Sequence, residues 1–163
     1  TRLNNLAGLL KAMGDYAGAK PLFERALAIS EKAEGPEHPS TGTSLNNLAI
    51  LLQYMGDYAG AKPLLERALA ISEKAEGPEH PSTGTSLNNL ASLLKAEGDY
   101  AGAKPLFERA LAISEKANGP EHPSTGTRLN NLAILLQYMG DYAGAKPLLE
   151  RALAISEKAE GPM

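Results

Sequence analysis

A block of 42 residues is repeated, nearly letter for letter, along this whole chain. The run from Thr43 to Gly84 returns from Thr85 and from Thr127, and it also begins at Thr1. Seven of its 42 offsets vary between copies and 35 do not, leaving aside Met163 at the end. A fixed period of that length belongs to stacked, quasi-one-dimensional arrays, in which each unit buries its apolar face against its neighbours. A single enclosed core is thereby excluded. Identical units also lay out one long repeated surface, whereas catalysis gathers different side chains at one point. The copies are assigned to residues 1–36 (short at its start), 37–78, 79–120 and 121–163.

Hydrophobic residues at 43% and charged residues at 21% exclude a disordered chain. No apolar run approaches the roughly 18 residues of a membrane span, and no stretch reads as a signal peptide. Zero cysteines remove disulfides and thiolate metal sites, and fit a reducing, cytoplasmic compartment. A net charge of −3 offers no electrostatic case for nucleic acid. By the pattern of the later copies, Thr1 falls partway into a helix. The last copy stops at Gly161-Pro162-Met163 where the others continue Gly-Pro-Glu-His-Pro, so a segment of a longer array is expected.

In the second copy Leu45, Leu48, Ala49 and Leu52 fall at i, i+3, i+4 and i+7, one stripe of an amphipathic helix that Leu51 and Met55 widen. Gly56 ends that helix and Asp57 caps the next. In the second helix Tyr58, Ala61, Leu65, Ala68 and Ser72 share a face, with Leu64, Leu69 and Ile71 beside it. Gly77-Pro78 stops it, and His80-Pro81 opens the following helix. The spacing predicts helices over about 39–55 and 58–75, each on the order of 25 Å long. Pro63 lies inside the second, where a local bend is expected, and Gly60 weakens the same helix. Stacking rather than propensity must hold it. No segment alternates with period two, so no strand is expected.

The spacing Leu45-x2-Leu48-Ala49-x2-Leu52, then Gly56-Asp57-Tyr58, Ala61-x3-Leu65 and Ala68-Leu69, resembles the tetratricopeptide repeat, whose pattern is W-x2-L-G-x2-Y followed by A-x3-F. Phe23 and Phe107 restore the aromatic that Leu65 lacks. Two departures stand out. The unit exceeds the usual length of about 34 residues, and helix (Ser72 to Ala75) continues where the motif closes with proline. With its Leu-Asn-Asn-Leu-Ala and Gly-Pro-Glu-His-Pro runs, the chain is similar to the 42-residue subclass carried by kinesin light chains and many fungal and bacterial proteins. The resemblance implies an all-α solenoid, a right-handed superhelix of four helix-turn-helix units, whose first helices line a concave face that holds extended peptides. It also looks like the sensor ends of fungal NLR-like proteins, although no nucleotide-binding module is present in these residues.

The varying offsets are Ser44 (Arg2, Arg128), Ile50 (Gly8, Ser92), Gln53 (Lys11, Lys95), Tyr54 (Ala12, Ala96), Met55 (Glu97), Leu65 (Phe23, Phe107) and Glu76 (Asn118). Five of the seven lie on the first helix, and 50, 53 and 54 share one face of it. Copies one and three carry Lys-Ala with Phe, whereas two and four carry Gln-Tyr-Met with Leu. The period is therefore partly a doublet of 84. Either a doublet was duplicated without functional cause, or the alternation suits a ligand that advances about six extended residues per two units.

By the resemblance, the peptide-contacting residues are Asn4, Lys11, Asn46, Ile50, Gln53, Tyr54, Asn88, Ser92, Lys95, Asn130, Ile134, Gln137 and Tyr138. Asparagine is a poor mid-helix residue, yet an amide both donates and accepts, so a ladder of them can grip a peptide backbone. The alternative is that Asn46, or more readily Asn47 toward the helix seam, bonds across copies. Lys11, Lys95, Arg2 and Arg128 sit on first helices while the acids, Glu97 apart, sit on second helices and loops. A basic groove and a carboxylate-bearing ligand are expected, against the alternative of ordinary solvated surface. Tyr54 and Tyr138 stack on ligand or pad the groove wall, whereas Tyr58 and its copies read as core.

His38, His80 and His122 occur once per copy without a second strong ligand at chelating spacing, so helix capping is expected rather than metal. Glu66-Arg67 and Glu73-Lys74 read as exposed charge. No nucleophile-base pair or phosphate loop is present, and Gly56-Asp57-Tyr58-Ala59-Gly60 lacks the loop's lysine. The expectation is a non-enzymatic scaffold without cofactor, whose partner is a protein or peptide and not nucleic acid or membrane. The rival is a stiff spacer or self-assembling rod. Its ends carry no polar capping helix, so identical units would stack end to end in contacts that do not close.

Overall fold

A computed structural model describes residues 1–161, and among them are eight helices and no strand. They are α1 (Arg2–Ala12), α2 (Tyr16–Ala33), α3 (Pro39–Tyr54), α4 (Tyr58–Ala75), α5 (Pro81–Ala96), α6 (Tyr100–Ala117), α7 (Pro123–Tyr138) and α8 (Tyr142–Glu160). The second-helix bounds of 58–75 are those of the hydrophobic pattern. The first helix stops one residue sooner than 55, at Tyr54. Met55 is its C-cap, and its amide bonds back to the Leu51 carbonyl.

Each helix end has an identifiable chemical cause. Gly56 takes φ +81°, a backbone state glycine enters without strain, and its amide donates to the Gln53 carbonyl at 3.0 Å. Asp57 then caps α4, its Oδ1 accepting from the Gly60 amide at 2.9 Å. That cap also explains Gly60. A Cβ there would lie 2.5 Å from Asp57 Oδ2, so the glycine leaves room for the carboxylate. At the other turn His38 caps α3, its Nδ1 accepting from the Ser40 amide at 3.1 Å, and Pro39 fills the first helical position. His122 does the same for α7. Pro63 is accommodated inside an unbroken α4.

The helices fall into two compact units, residues 1–78 and residues from 79 onward. In the first, α2 packs on both α1 and α3, and α3 pairs with α4. Its centre is Leu45, Ala68 and Ile71, with Leu27 of α2 and Leu64 of α4 against them. Leu27 thus comes from one copy and Leu45 from the next, which is the stacking the sequence requires. Thr41, fully buried, donates to the Gly35 carbonyl at 2.7 Å and pins the connecting loop. Arg67 faces Glu31 of the preceding copy at 3.9 Å, and Lys74 meets Glu37 at 2.6 Å; such exposed pairs contribute little.

The second unit repeats the scheme with α5 on α6, α6 on α7, and α7 on α8. Thr125 donates to the Gly119 carbonyl at 2.7 Å and lies 2.9 Å from Ser114 Oγ. Two expectations about the core need correcting. Met55 does not widen the buried stripe: it is 42% exposed, because the helix has ended there and its side chain leaves the face. Tyr58, Tyr16 and Tyr100 are half-buried rather than core, and Tyr142 is exposed. They are the first residues of their helices, at the edge of the packed face.

Candidate functional site

All thirteen contact residues inferred from the sequence lie on the first helices. Asn4 and Lys11 are on α1; Asn46, Ile50, Gln53 and Tyr54 on α3; Asn88, Ser92 and Lys95 on α5; Asn130, Ile134, Gln137 and Tyr138 on α7. None is fully buried. Within the first unit, Lys11 Nζ sits 5.0 Å from the centre of the Tyr54 ring, and that ring stacks on Tyr16 at 6.0 Å. Within the second, Lys95 Nζ is 4.9 Å from the Tyr138 ring, which stacks on Tyr100 at 5.8 Å. The same three-membered stack is built twice, each time with the lysine and one tyrosine from one copy and the other tyrosine from the next.

In both units the alternating residues therefore meet in one contact. Each tyrosine-bearing copy has a lysine over its ring, carried by the preceding copy at the offset where its own residue is Gln53 or Gln137. Ala12 and Ala96 stand where a second tyrosine would otherwise be. In the second unit the result is an open cavity of about 370 Å3 lined by Ser92, Lys95, Ala96, Tyr100, Phe107, Asn131 and Tyr138. Phe107 is buried at its base. A lysine, two phenol rings and an amide around an apolar floor can take a side chain with a carboxylate or a flat ring, by charge above and stacking beside.

The structure brings Ser92, Lys95 and Tyr138 together, and links Asn88 to them through Asn131, whose Nδ2 donates to Asn88 Oδ1 at 2.8 Å. Asn88 is therefore a bonded strut between α5 and α7. In the first unit Asn4 and Asn46 differ: each Oδ1 is buried without a hydrogen-bond partner among the described residues. Asn130, Gln137 and Ile134 are exposed on α7 without joining the cavity, and Ile50 and Gln53 are half-buried on α3. The basic face expected from Lys11, Lys95, Arg2 and Arg128 is narrower than that. Arg128 lines a different cavity, with Ser114, Asn118 and Ser124. Sequence reasoning missed Tyr100, Phe107, Ala96 and Asn131 as lining residues. The co-variation of Lys-Ala with Phe in one copy and Tyr in the next was the available signal.

No group of three or more His, Asp or Glu among the described residues is placed to hold a metal ion, and no helix among them is long and apolar enough to cross a membrane.

A search of curated proteins finds no match. Among solved structures, the chain is similar to BtubC (BKLC) from P. vanneervenii, with 26% identity and a TM-score of 0.88 over 99% of this chain and 64% of that one. It is also similar to the nearly identical repeats of a putative kinesin light chain from Podospora anserina, with 28% identity and a TM-score of 0.67 over 97% and 95% of the two chains. Aspartyl phosphate phosphatase F from Bacillus subtilis shares the fold at 19% identity, a TM-score of 0.83, and 98% and 40% coverage. This chain thus spans under two thirds of two of those three proteins. The family model described as tetratricopeptide repeat matches residues 2–74, 45–116 and 82–158. Eight helices in tandem hairpins, a 42-residue period and those matches together place the chain in the tetratricopeptide repeat family.

Proposed function

We propose that this chain is a non-enzymatic scaffold that holds an extended peptide along its first helices, with one ligand side chain seated in the cavity that Lys95 and Tyr138 help to line. The observation that carries the reading is that cavity: it is open, floored by Phe107 and ringed by groups able to hold charge and ring together. The cationic groups at the two stacks are Lys11 and Lys95, so an acidic side chain is the favoured occupant. The absence of cysteine suits such a scaffold to a reducing compartment. A peptide library selected on the intact chain tests it. Enriched peptides should carry an acidic residue, bind more weakly as salt rises, and lose at least about tenfold in affinity on Tyr138→Ala or Lys95→Met. Enrichment indifferent to both changes and to salt would refute the placement.

A second reading is favoured by a separate observation. Leu6 and Leu9 of α1 are 49% and 57% exposed, whereas Leu48 and Leu51 at the same offsets of α3 are 6% and 0%. Leu153 and Tyr142 of α8 are exposed too. Faces of the type that stack within the chain are thus left open, and a second copy could dock head to tail. Sedimentation over a wide concentration range tests this; a strict monomer at millimolar concentration would overturn it.

A further inference from the structure

Two substitutions that break the doublet period meet in one place. Asn118 occupies an offset where the first copy has Glu34, and Arg128 an offset where the second copy has Ser44. Both line a cavity of about 140 Å3 among α5, α6 and α7, together with Thr85, Ser114 and Ser124. That is room for four or five waters at about 30 Å3 each, or for one oxyanion of similar atom count.

The α2 and α3 side of the corresponding place in the first unit carries the usual residues, although that unit has no counterpart of Pro81 or Gly84. Glu34 Oε2 accepts from the Ser40 hydroxyl at 2.6 Å, and Ser44 Oγ lies 3.3 Å from Ser30 Oγ. The chain's own carboxylate lies against that serine and 2.9 Å from His38 Nδ1. In the second unit Asn118 has no charge, and its amide is only 3.5 Å from Ser114 Oγ. The Ser124 hydroxyl, counterpart of Ser40, has no acceptor among the described residues. In place of a serine stands a half-buried guanidinium with no ion pair among them. The acids of this region are engaged elsewhere: Glu115 with Arg151, Glu121 with Lys158 and Glu79 with Lys116. Burial pulls the Arg128 pKa below its ordinary value, and no carboxylate acts to raise it. The N-terminal turns of α5 and α7 also border the cavity, through Pro81 and Ser124, adding positive partial charge. Relative to the first unit, the site has lost an anion and gained a cation.

We propose that the Arg128 cavity binds a small oxyanion, a carboxylate or phosphate group, in the position the Glu34 carboxylate occupies in the first unit. The guanidinium and the Ser124 hydroxyl donate to it, and Asn118 supplies an amide without repelling charge. This site stands apart from the Lys95–Tyr138 cavity and does not depend on the peptide reading.

Titration of the intact chain with sodium phosphate and, separately, sodium acetate, followed by amide chemical shifts against matched sodium chloride, tests the proposal. Saturable shifts are expected at Ser114, Asn118, Ser124 and Arg128. Saturation by phosphate alone assigns a phosphate-bearing ligand, and saturation by acetate as well assigns a carboxylate. Arg128→Ser restores a residue that other copies already carry, so folding is preserved; it should weaken binding at least about tenfold. Asn118→Glu should abolish binding by supplying an internal carboxylate. Shifts no larger than those with chloride, or a titration unchanged by Arg128→Ser, would overturn the assignment.

Discussion

Truncating one leucine at two copies of the same offset measures how much of this protein is held by stacking between hairpins. Leu9 and Leu51 occupy equivalent positions near the ends of α1 and α3, and the same Leu→Ala change alters intrinsic helix propensity alike at both, although Gly8, Lys11 and Ala12 stand where Ile50, Gln53 and Tyr54 surround Leu51. Their surroundings are not. Leu51 is 0% exposed, because α2 of the preceding copy packs on α3, whereas Leu9 is 57% exposed. A fully buried Leu→Ala change costs about 2.7–5.0 kcal/mol, including the cavity it leaves. For Leu9 less than half of the side chain is covered and no closed cavity results, so about 1–2 kcal/mol is expected from the same relation. Guanidinium denaturation of Leu51→Ala and Leu9→Ala should therefore differ by about 2 kcal/mol, or very roughly 4–8 °C in Tm for a chain of this size. Arrays can unfold in more than one step, so amide exchange should show the loss of Leu51 spreading through α2, α3 and α4, while that of Leu9 stays in the first hairpin. Equal losses, within about 0.5 kcal/mol, would mean that each hairpin is stable alone, and the stacking argument would fail.

Two further perturbations follow from the helix ends. Asp57→Ala should cost about 1 kcal/mol, and Gly60→Ala should stabilise by up to about 1 kcal/mol only once that carboxylate is gone, since the added Cβ would meet Asp57 Oδ2; additive effects in the double-mutant cycle would refute the pairing. Pro63→Ala restores an amide to an unbroken helix and should raise stability by about 1 kcal/mol or more, with circular dichroism at 222 nm (about the helical minimum) as the check on helix content; a lower Tm would show that the ring is packed against something needed.

How much of this was legible in the sequence depends on the range of the interaction involved. The ends of α4 at Tyr58 and Ala75, the caps at Asp57 and His80, and the burial of Leu45, Leu48 and Leu52 follow from neighbours within a turn or two. Periodicity finds such things because it is itself local. Gly60 reads as a weakness until the Asp57 carboxylate is seen lying against it. Tyr58 reads as core because it recurs, but at the first residue of a helix it is only half-buried. The site was legible as a helix face and illegible as a cavity. No pattern within one copy says that Lys95 will lie over Tyr138, or that Asn118 and Arg128 will line the same hollow, since each pair joins two copies.

The stack of Lys95, Tyr138 and Tyr100 has a consequence for how such a gene can change length. Unequal recombination moves freely between identical copies, and a gain or loss of 84 residues would keep every lysine ahead of a tyrosine. A slip of 42 would bring two like copies into succession, and where both carry tyrosine a bulky ring would stand where Ala96 now leaves the hollow open. Lineages that depend on those hollows should therefore inherit their copies in pairs, and odd-numbered arrays should show repair at that alanine.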